Sequence, residues 1–137
     1  MKVFIDTDAW IAYKVDKDEY SETACLHMEE LMEKKAWLFT NIFVLSETYT
    51  RLIYDVNLKA AVEFKDYILE GIGKHLEVLN WSFEDQTEVW RILQKFDDHE
   101  LSFTDATIVA NVKTYRLDEV FTFDGHFWDI GLATNEF

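Results

Sequence analysis

The chain has 137 residues, of which 49% are hydrophobic and 16% aromatic, which suits a single folded domain and excludes a disordered chain. Its 13 basic and 27 acidic residues give a net charge of −14, which excludes a protein that binds a polyanion over its whole surface. A solubilising surface, a contact mediated by cations or a local basic patch, and a basic protein partner all remain compatible with this charge.

The first half of the chain predicts strands and helices in alternation. The run Lys2–Ile5 lacks polar alternation, which is typical of a strand buried on both faces. Apolar residues at helical spacing predict a helix over about residues 18–35, capped by Asp18, and a strand over 37–40 follows. A helix from Asn41 to about Tyr54 is predicted next, with its main apolar stripe on Ile42, Leu45, Tyr49, Leu52 and Ile53.

The second half continues the alternation. Asn57 is predicted to cap a helix that ends near Gly71, with Leu58, Ala61, Val62, Ile68 and Leu69 facing inward. Strands over 75–79, 119–123 and, as a last short one, 131–134 accompany helices over about 82–96, opened by a Ser82–Asp85 capping box, and 104–115. This order predicts a single α/β domain over residues 1–137, a parallel sheet with helices on both faces.

Two aspartates follow predicted strands that are far apart in sequence. Asp6 comes directly after the first strand, and Asp124 directly after Val120–Phe123. An aspartate in either position alone is more commonly a turn or capping residue. Because the carboxyl ends of parallel strands meet at one edge of the sheet, the pair predicts a shared site there.

Asp105 lies at the start of a predicted helix and shares a face with apolar residues at positions 108, 109 and 112. Ser102 precedes it by three residues, so the two fit a variant capping box. A carboxylate in a first helical turn is also stabilised by the helix dipole. Capping is compatible with metal binding, because this helix terminus points into the same cleft.

Glu47 lies in the middle of a predicted helix, away from the main apolar stripe and on a side shared with Phe43 and Tyr54. This pattern predicts a helix packed on two sides and a Glu47 carboxylate that needs a cation. Arg51, four residues on, would supply an ordinary ion pair, and a metal ion is the alternative. Four hard oxygen donors favour Mg²⁺ or Mn²⁺ over zinc, and such clusters recur where phosphodiesters are cut.

Four segments together resemble the PIN domain family, and within it the VapC-type toxins of toxin–antitoxin pairs. They are VFIDTDAWIA at 3–12, TNIFVLSETYTRL at 40–52, LSFTDATIVA at 101–110 and VFTFDGHF at 120–127. The resemblance implies a five-stranded parallel sheet and a ribonuclease that depends on Mg²⁺ or Mn²⁺ and cuts single-stranded or looped RNA. It assigns catalysis and metal binding to Asp6, Glu47, Asp105 and Asp124.

The resemblance also suggests a second shell and partners. Thr7, Ser102 and Thr104 would lie beside the site. Asp8 is either an additional acid in the cleft or the cap of the next helix, and we prefer the cap. His126 either contacts the substrate or a metal-bound water, or is an ordinary surface histidine, which is the more common case. The implied protein partners are a basic antitoxin, which suits the acidic surface, and a second copy of the chain in a homodimer.

Two other functions fit parts of the sequence. A phosphatase of the haloacid dehalogenase type would use Asp6-Thr7-Asp8 as its nucleophile motif, but Glu47 would then have no role and no suitable lysine follows the middle strands. A PIN-like domain that only binds RNA or protein is the other alternative. The intact acids argue against it.

The sequence also excludes a membrane span, an intramolecular disulfide and a cysteine-rich zinc site. No stretch approaches the roughly 18–20 apolar residues of a membrane span, and the acidic N-terminus does not fit a signal peptide, so we expect a cytoplasmic protein that does not bind membranes. Cys25 is the only cysteine, which excludes an intramolecular disulfide and a cysteine-rich zinc site. His27, two residues away on a helix, is badly placed to activate its thiol.

Overall fold

Four parallel strands form the sheet in residues 1–135, which are the residues that the computed structural model describes. They are β1 (Lys2–Ile5), β2 (Trp37–Asn41), β3 (Leu76–Leu79) and β4 (Glu119–Phe121), in the order β3-β2-β1-β4. In β1, Phe4 is in register with Phe39 of β2 on one side and with Val120 of β4 on the other. Val3, Phe4 and Ile5 are all fully buried, so both faces of the sheet are covered there.

Seven α-helices surround this sheet within residues 1–135. They are α1 (Thr7–Lys14), α2 (Ser21–Glu33), α3 (Ile42–Asp55), α4 (Leu58–Gly71), α5 (Gln86–Lys95), α6 (Phe103–Tyr115) and α7 (His126–Asp129), with a 3₁₀ turn (Phe83–Asp85) before α5. The predicted α/β class is confirmed. No helix in the described part of the chain is long and apolar enough to cross a membrane.

The fifth predicted strand is reduced to one bridge, so the predicted strand count is wrong. Thr134 forms a single parallel bridge with Val120, which donates its N–H to the carbonyl of Ala133 at 3.0 Å. After β4 the backbone bonds to side chains. The N–H of Thr122 donates to Asn135 Oδ1 at 2.7 Å, and that of Phe123 donates to the Asp8 carboxylate. Residues 131 and 132 of the predicted strand bond to α7 instead, since their N–H groups donate to the carbonyls of Trp128 and Phe127.

Most predicted helix starts are confirmed because they depend on local hydrogen bonds. Asn41 Oδ1 accepts from the N–H of Val44 at 2.9 Å, and Asn57 Oδ1 accepts from that of Ala60 at 2.8 Å. The predicted cap at Asp18 is wrong. Its Oδ1 accepts from the N–H of Tyr20, two residues on, in a turn that delays the helix to Ser21.

The inward faces of α3 and α4 were predicted only in part. Leu45 and Leu52 are buried as predicted, but Ile42 is 57% exposed, and Val44 and Thr48 are buried instead. On α4 the expected burial is confirmed for Ala61 and Ile68 and wrong for Leu58, Val62 and Leu69. Both helices carry more apolar positions than one face accommodates, so periodicity alone does not select the buried face.

Candidate active site

Asp6 is the most buried acid of the candidate site. It follows β1 and is the N-cap of α1, with Oδ1 accepting from the N–H of Thr7 at 2.7 Å and Oδ2 accepting from Thr122 Oγ1 at 2.9 Å. Burial raises its pKa well above the ordinary value, and the charges of Asp8 and Asp105 raise it further. Asp6 is thus held in place by hydrogen bonds beside other acids.

Asp8 belongs to the cleft, and the interpretation of this residue as a helix cap is wrong because Asp6 occupies the cap position. Its carboxylate accepts from the N–H of Phe123 at 3.1 and 3.2 Å and lies 3.4 Å from Thr122 Oγ1. Burial raises the pKa of Asp8 to about 6, and the charge of Asp124 also raises it. Asp8 therefore connects α1 to the loop after β4.

Asp105 enters the cleft from the first turn of α6. The predicted capping box is confirmed. The N–H of Asp105 donates to Ser102 Oγ, and the N–H of Ser102 donates to Asp105 Oδ2, both at 3.0 Å. Burial raises the pKa of Asp105, as does the charge of Asp124, while the Ser102 hydrogen bonds and His126 oppose the rise.

A buried amide network holds α6 against the end of β2. Asn41 Nδ2 donates to Thr107 Oγ1 at 3.1 Å and to Asn111 Oδ1 at 2.8 Å. The same Asn41 side chain caps α3 through Oδ1. One residue at the carboxyl end of a strand therefore fixes two helices, and with them the position of Asp105 at the sheet edge.

Asp124 and His126 complete a cluster with Asp105. Asp124 Oδ1 accepts from the N–H of His126 at 2.9 Å, and His126 Nδ1 lies 3.4 Å from the same oxygen. One ligand atom from each of these three residues lies within 4.8 Å of the other two, a spacing that could hold a metal ion. His126 is half-buried within this cluster and is not an isolated surface histidine.

Glu47 differs from the acids of this cluster in its exposure to solvent. It is exposed, so the expected burial on a second packed side of α3 is wrong. The buried residues of α3 are Val44, Leu45, Thr48 and Leu52, and Glu47 lies outside the face that they form. The alternative was an ion pair between Glu47 and Arg51. Among the described residues, the charged groups of these two side chains do not come within 4 Å of each other. Glu47 remains a prediction as a site residue.

The remaining predicted neighbours have structural environments of different kinds. Thr7 is buried at the start of α1, and its hydroxyl has no hydrogen-bond partner among residues 1–135. Ser102 forms the capping box with Asp105. The Thr104 carbonyl accepts from Thr107 Oγ1 at 2.6 Å. Two of these residues thus bond directly to a predicted site acid. Ser102 bonds to Asp105, and the N–H of Thr7 bonds to Asp6.

Thr122 is a site residue that sequence reasoning missed. Its hydroxyl donates to Asp6 Oδ2 and accepts from the N–H of Asp124 at 3.0 Å, so it joins Asp6 to Asp124. A buried threonine at the end of an apolar strand was the available signal, because a buried hydroxyl requires a partner.

A cavity of about 470 Å³ opens beside the acids. It is lined by Asp8, Asp18, Glu19, Tyr20, Arg51, Phe123, Asp124 and Gly125. Among the described residues that line the cavity, Arg51 is the one with a cationic side chain. The cavity therefore continues the acidic cleft toward the turn before α2.

Comparisons of the sequence and of the structure with known proteins agree on one family. The model of the PIN domain matches residues 3–131. A curated protein of Mycobacterium tuberculosis, the 23S rRNA-specific endonuclease VapC20, is 29% identical over 96% of this chain and 95% of its own length. The crystal structure of that organism's VapC20, described as a sarcin-ricin loop cleaving toxin, superposes with a TM-score of 0.82 at 27% identity and covers 96% of both chains.

More distant structures share the fold. VapBC2 from Rickettsia felis, solved with a DNA fragment from its promoter, has a TM-score of 0.73 at 14% identity over 98% of both chains. The predicted resemblance to VapC-type toxins is confirmed. The match spans nearly all of the described residues and includes every cluster residue. The chain therefore belongs to the PIN domain family.

Proposed function

We propose that the chain is a VapC-type endoribonuclease that depends on Mg²⁺ or Mn²⁺, with Asp6, Asp105 and Asp124 as its metal-binding and catalytic acids. The observation that carries the proposal is the convergence of these acids, with Asp8 and His126, at the carboxyl edge of the sheet. Glu47 is proposed as the fourth acid by resemblance to the family. Its side chain is exposed on α3.

The electrostatics of the acids suit a divalent cation. Asp6, Asp8 and Asp105 each have a raised pKa, and in every case a neighbouring carboxylate contributes to the rise. A bound cation relieves this repulsion. Carboxylate oxygens favour Mg²⁺ or Mn²⁺, and the imidazole of His126 is a donor that Mn²⁺ accepts more readily than Mg²⁺ does.

Metal and protein would divide the chemistry. A divalent cation in such a site supplies Lewis-acid activation of the attacking water and neutralises charge on the phosphate. Asp6, Asp105 and Asp124 would hold it. Thr122 orients the Asp6 carboxylate through its hydrogen bond, and the Ser102 capping box orients Asp105. The chain's own contribution is thus to fix the ligands before RNA binds.

The relatives suggest which RNA and which partners to test first. VapC20 is named for cleavage of 23S rRNA, so we propose a ribosomal RNA loop as the first substrate to examine. We also propose a basic antitoxin as partner, which the net charge of −14 favours. A homodimer is proposed by resemblance, and exposed apolar residues on α3 and α4 offer surface for it.

Cleavage of ribosomal RNA tests the proposal. The purified chain, freed of any partner, is incubated with intact ribosomes, protein-free 23S rRNA and transfer RNA, each with Mn²⁺, Mg²⁺ or EDTA. We expect discrete cleavage with metal and none with EDTA. No cleavage together with no heat of metal binding in calorimetry would overturn the nuclease proposal and favour the non-catalytic binding module. The phosphatase alternative is not supported, since the chain is a PIN domain.

Replacement of Thr122 by valine tests the positioning of Asp6. Valine keeps the shape of threonine but removes the hydroxyl that joins Asp6 to the N–H of Asp124. We expect the cleavage rate to fall by roughly tenfold or more, because a hydrogen bond to a charged group is lost. Thr122→Ser is the matched control and should keep most of the rate. Equal rates for the two variants, measured under single-turnover conditions, would contradict this role.

A further inference from the structure

Two aromatic rings form a stack at the mouth of the acidic cavity. The rings of Tyr20 and Phe123 are nearly parallel, with centroids 4.5 Å apart and an interplanar angle of 9°. Phe123 directly precedes Asp124, and both rings line the cavity beside Asp8. Tyr20 is 45% exposed even though one ring face lies against Phe123. A flat aromatic surface is therefore open to the cleft within reach of the acids.

Hydrogen bonds hold the backbone at both rings. The N–H of Tyr20 donates to Asp18 Oδ1 at 2.9 Å, and the N–H of Ser21 donates to the Asp18 carbonyl at 3.0 Å. On the other side, the N–H of Phe123 donates to the Asp8 carboxylate. The backbone under the stack is thus held before any ligand binds, which lowers the entropic cost of binding against it.

Arg51 supplies the cation of the same cavity. It lies on α3, is exposed, and has no carboxylate within 4 Å in the described chain, although Asp8, Asp18, Glu19 and Asp124 line the cavity with it. A guanidinium that lines a cavity without an ion pair is available to a phosphate, which its planar donors bind well.

We propose that Tyr20, backed by Phe123, stacks an unpaired base of the RNA, and that Arg51 binds an adjacent phosphate. This subsite rests on the proposed ribonuclease function and names the form of its substrate: a strand with a base free to leave its own stack. Aromatic stacking tolerates any base, so the subsite would position the strand and would not read its sequence. Tyr20 and Arg51 are in this view substrate-binding residues.

The observations favour an RNA strand over a basic peptide in this cavity. A peptide arginine would meet Arg51 at close range, whereas a phosphate is attracted to it. The flat, exposed ring matches the face of a base. Of the four carboxylates in the lining, Asp124 belongs to the proposed cation site and Asp8 lies beside it, so a bound divalent ion would offset their charge toward RNA. Asp18 and Glu19 lie outside that site.

Fluorescence anisotropy with a labelled single-stranded adenosine octanucleotide tests the subsite in Mg²⁺. The full chain carries Asp105→Asn to prevent cleavage during the measurement. Because this change also weakens the proposed cation site, Mg²⁺ is raised until it no longer changes the binding of the oligonucleotide. We expect Tyr20→Ala to raise the Kd about tenfold, and Tyr20→Phe to leave it within about twofold, because the ring is kept. Trp37→Ala is the matched aromatic control: Trp37 is 38% exposed and is the first residue of β2, so it lies at the amino-terminal end of its strand and the acids gather at the carboxyl ends.

The salt dependence of binding separates the two parts of the subsite. Arg51→Ala should weaken binding and lower the slope of log Kd against log salt by about one, because one phosphate contact is lost. Tyr20→Ala should leave the slope unchanged. A Tyr20→Ala protein with unchanged Kd, or a parent protein that does not bind the oligonucleotide, would overturn the proposal. The same anisotropy measurement is made with an arginine-rich peptide. If Tyr20→Ala weakens binding of the peptide but not of the oligonucleotide, the proposal is overturned and the cavity is assigned to a basic partner.

Cleavage by the protein with Asp105 intact distinguishes the two proposals. If no RNA is cut but oligonucleotide binding still depends on Tyr20, the ribonuclease function fails and the subsite stands. If RNA is cut, Tyr20→Ala should raise the half-saturating concentration in single-turnover cleavage more than it lowers the maximal rate. An unchanged half-saturating concentration would overturn the subsite while the function stands. Thermal unfolding of Tyr20→Leu, which keeps apolar bulk, checks that the turn still folds.

Discussion

Asp6→Asn and Asp105→Asn are each expected to reduce the RNA cleavage rate by roughly a hundred- to a thousandfold, because each removes a charge from the cluster proposed to hold the metal. Both variants should still fold. The capping interactions of Asp6 and Asp105 use oxygen acceptors that asparagine also has. Single-turnover cleavage of a defined RNA, together with calorimetric titration of Mn²⁺, measures rate and metal affinity separately.

Matched acid variants make this result specific. Asp129→Asn removes an exposed acid of α7 close in sequence to the cluster and should leave the rate nearly unchanged. Glu47→Gln decides the fourth position: a large loss would establish the exposed Glu47 as a functional acid. A wild-type rate for Glu47→Gln would leave Asp8 or His126 as the additional ligand. Full activity of Asp105→Asn would contradict the proposed site.

The metal-free protein is expected to lose stability as the pH rises from about 4 to about 6, the interval between the ordinary pKa of an aspartate and that of the folded-state Asp8. The pKa of Asp8 rises from 3.8 to about 6 on folding, so the folded chain binds more protons than the unfolded chain in this interval. Stability associated with Asp8 is therefore fully present below the unfolded pKa and is lost as the pH passes the folded one. Asp6 and Asp105 act in the same direction.

Urea unfolding in EDTA at several pH values measures this effect. A shift of about two pKa units corresponds to at most roughly 3 kcal/mol. Asp8→Asn should flatten the pH dependence and stabilise the metal-free protein at pH 7, while Asp98→Asn, on the exposed loop after α5, controls for the reduced net charge. At pH 7, Mn²⁺ at a hundred times its Kd should restore about 2.7 kcal/mol. Stability that rises between pH 4 and 6 in EDTA would contradict the electrostatic account of the cluster.

Local features of the fold could be predicted from the sequence. Asn41 and Asn57 cap helices, and Ser102 forms a capping box with Asp105, because these hydrogen bonds span only three residues. The positions of Asp6 and Asp124 followed from a general property of parallel sheets, since strand ends of the same direction meet at one edge. Four short segments in the right order were sufficient to indicate the family.

Features that depend on which face of a helix packs could not be predicted. Glu47 was expected to be buried, yet α3 presents it to solvent and buries Val44 and Thr48. Asp8 was interpreted as a cap because each of two nearby acids could have filled that role, and only the end of β1 decides which one does. The last strand was predicted from its residues, but the N–H groups of Gly131 and Leu132 donate to carbonyls of α7, and only Thr134 is bridged to β4.

The sequence by itself determined the fold class, the caps of α3, α4 and α6, and the edge of the sheet on which the acids gather, because each depends on periodicity, chain direction or hydrogen bonds between near neighbours. Only the tertiary structure decided that Thr122 joins Asp6 to Asp124, that His126 lies with Asp105, and that the Tyr20 ring stacks on Phe123. These contacts join segments far apart in the chain. Their geometry is set by how the helices pack on the sheet, which residue patterns constrain only weakly.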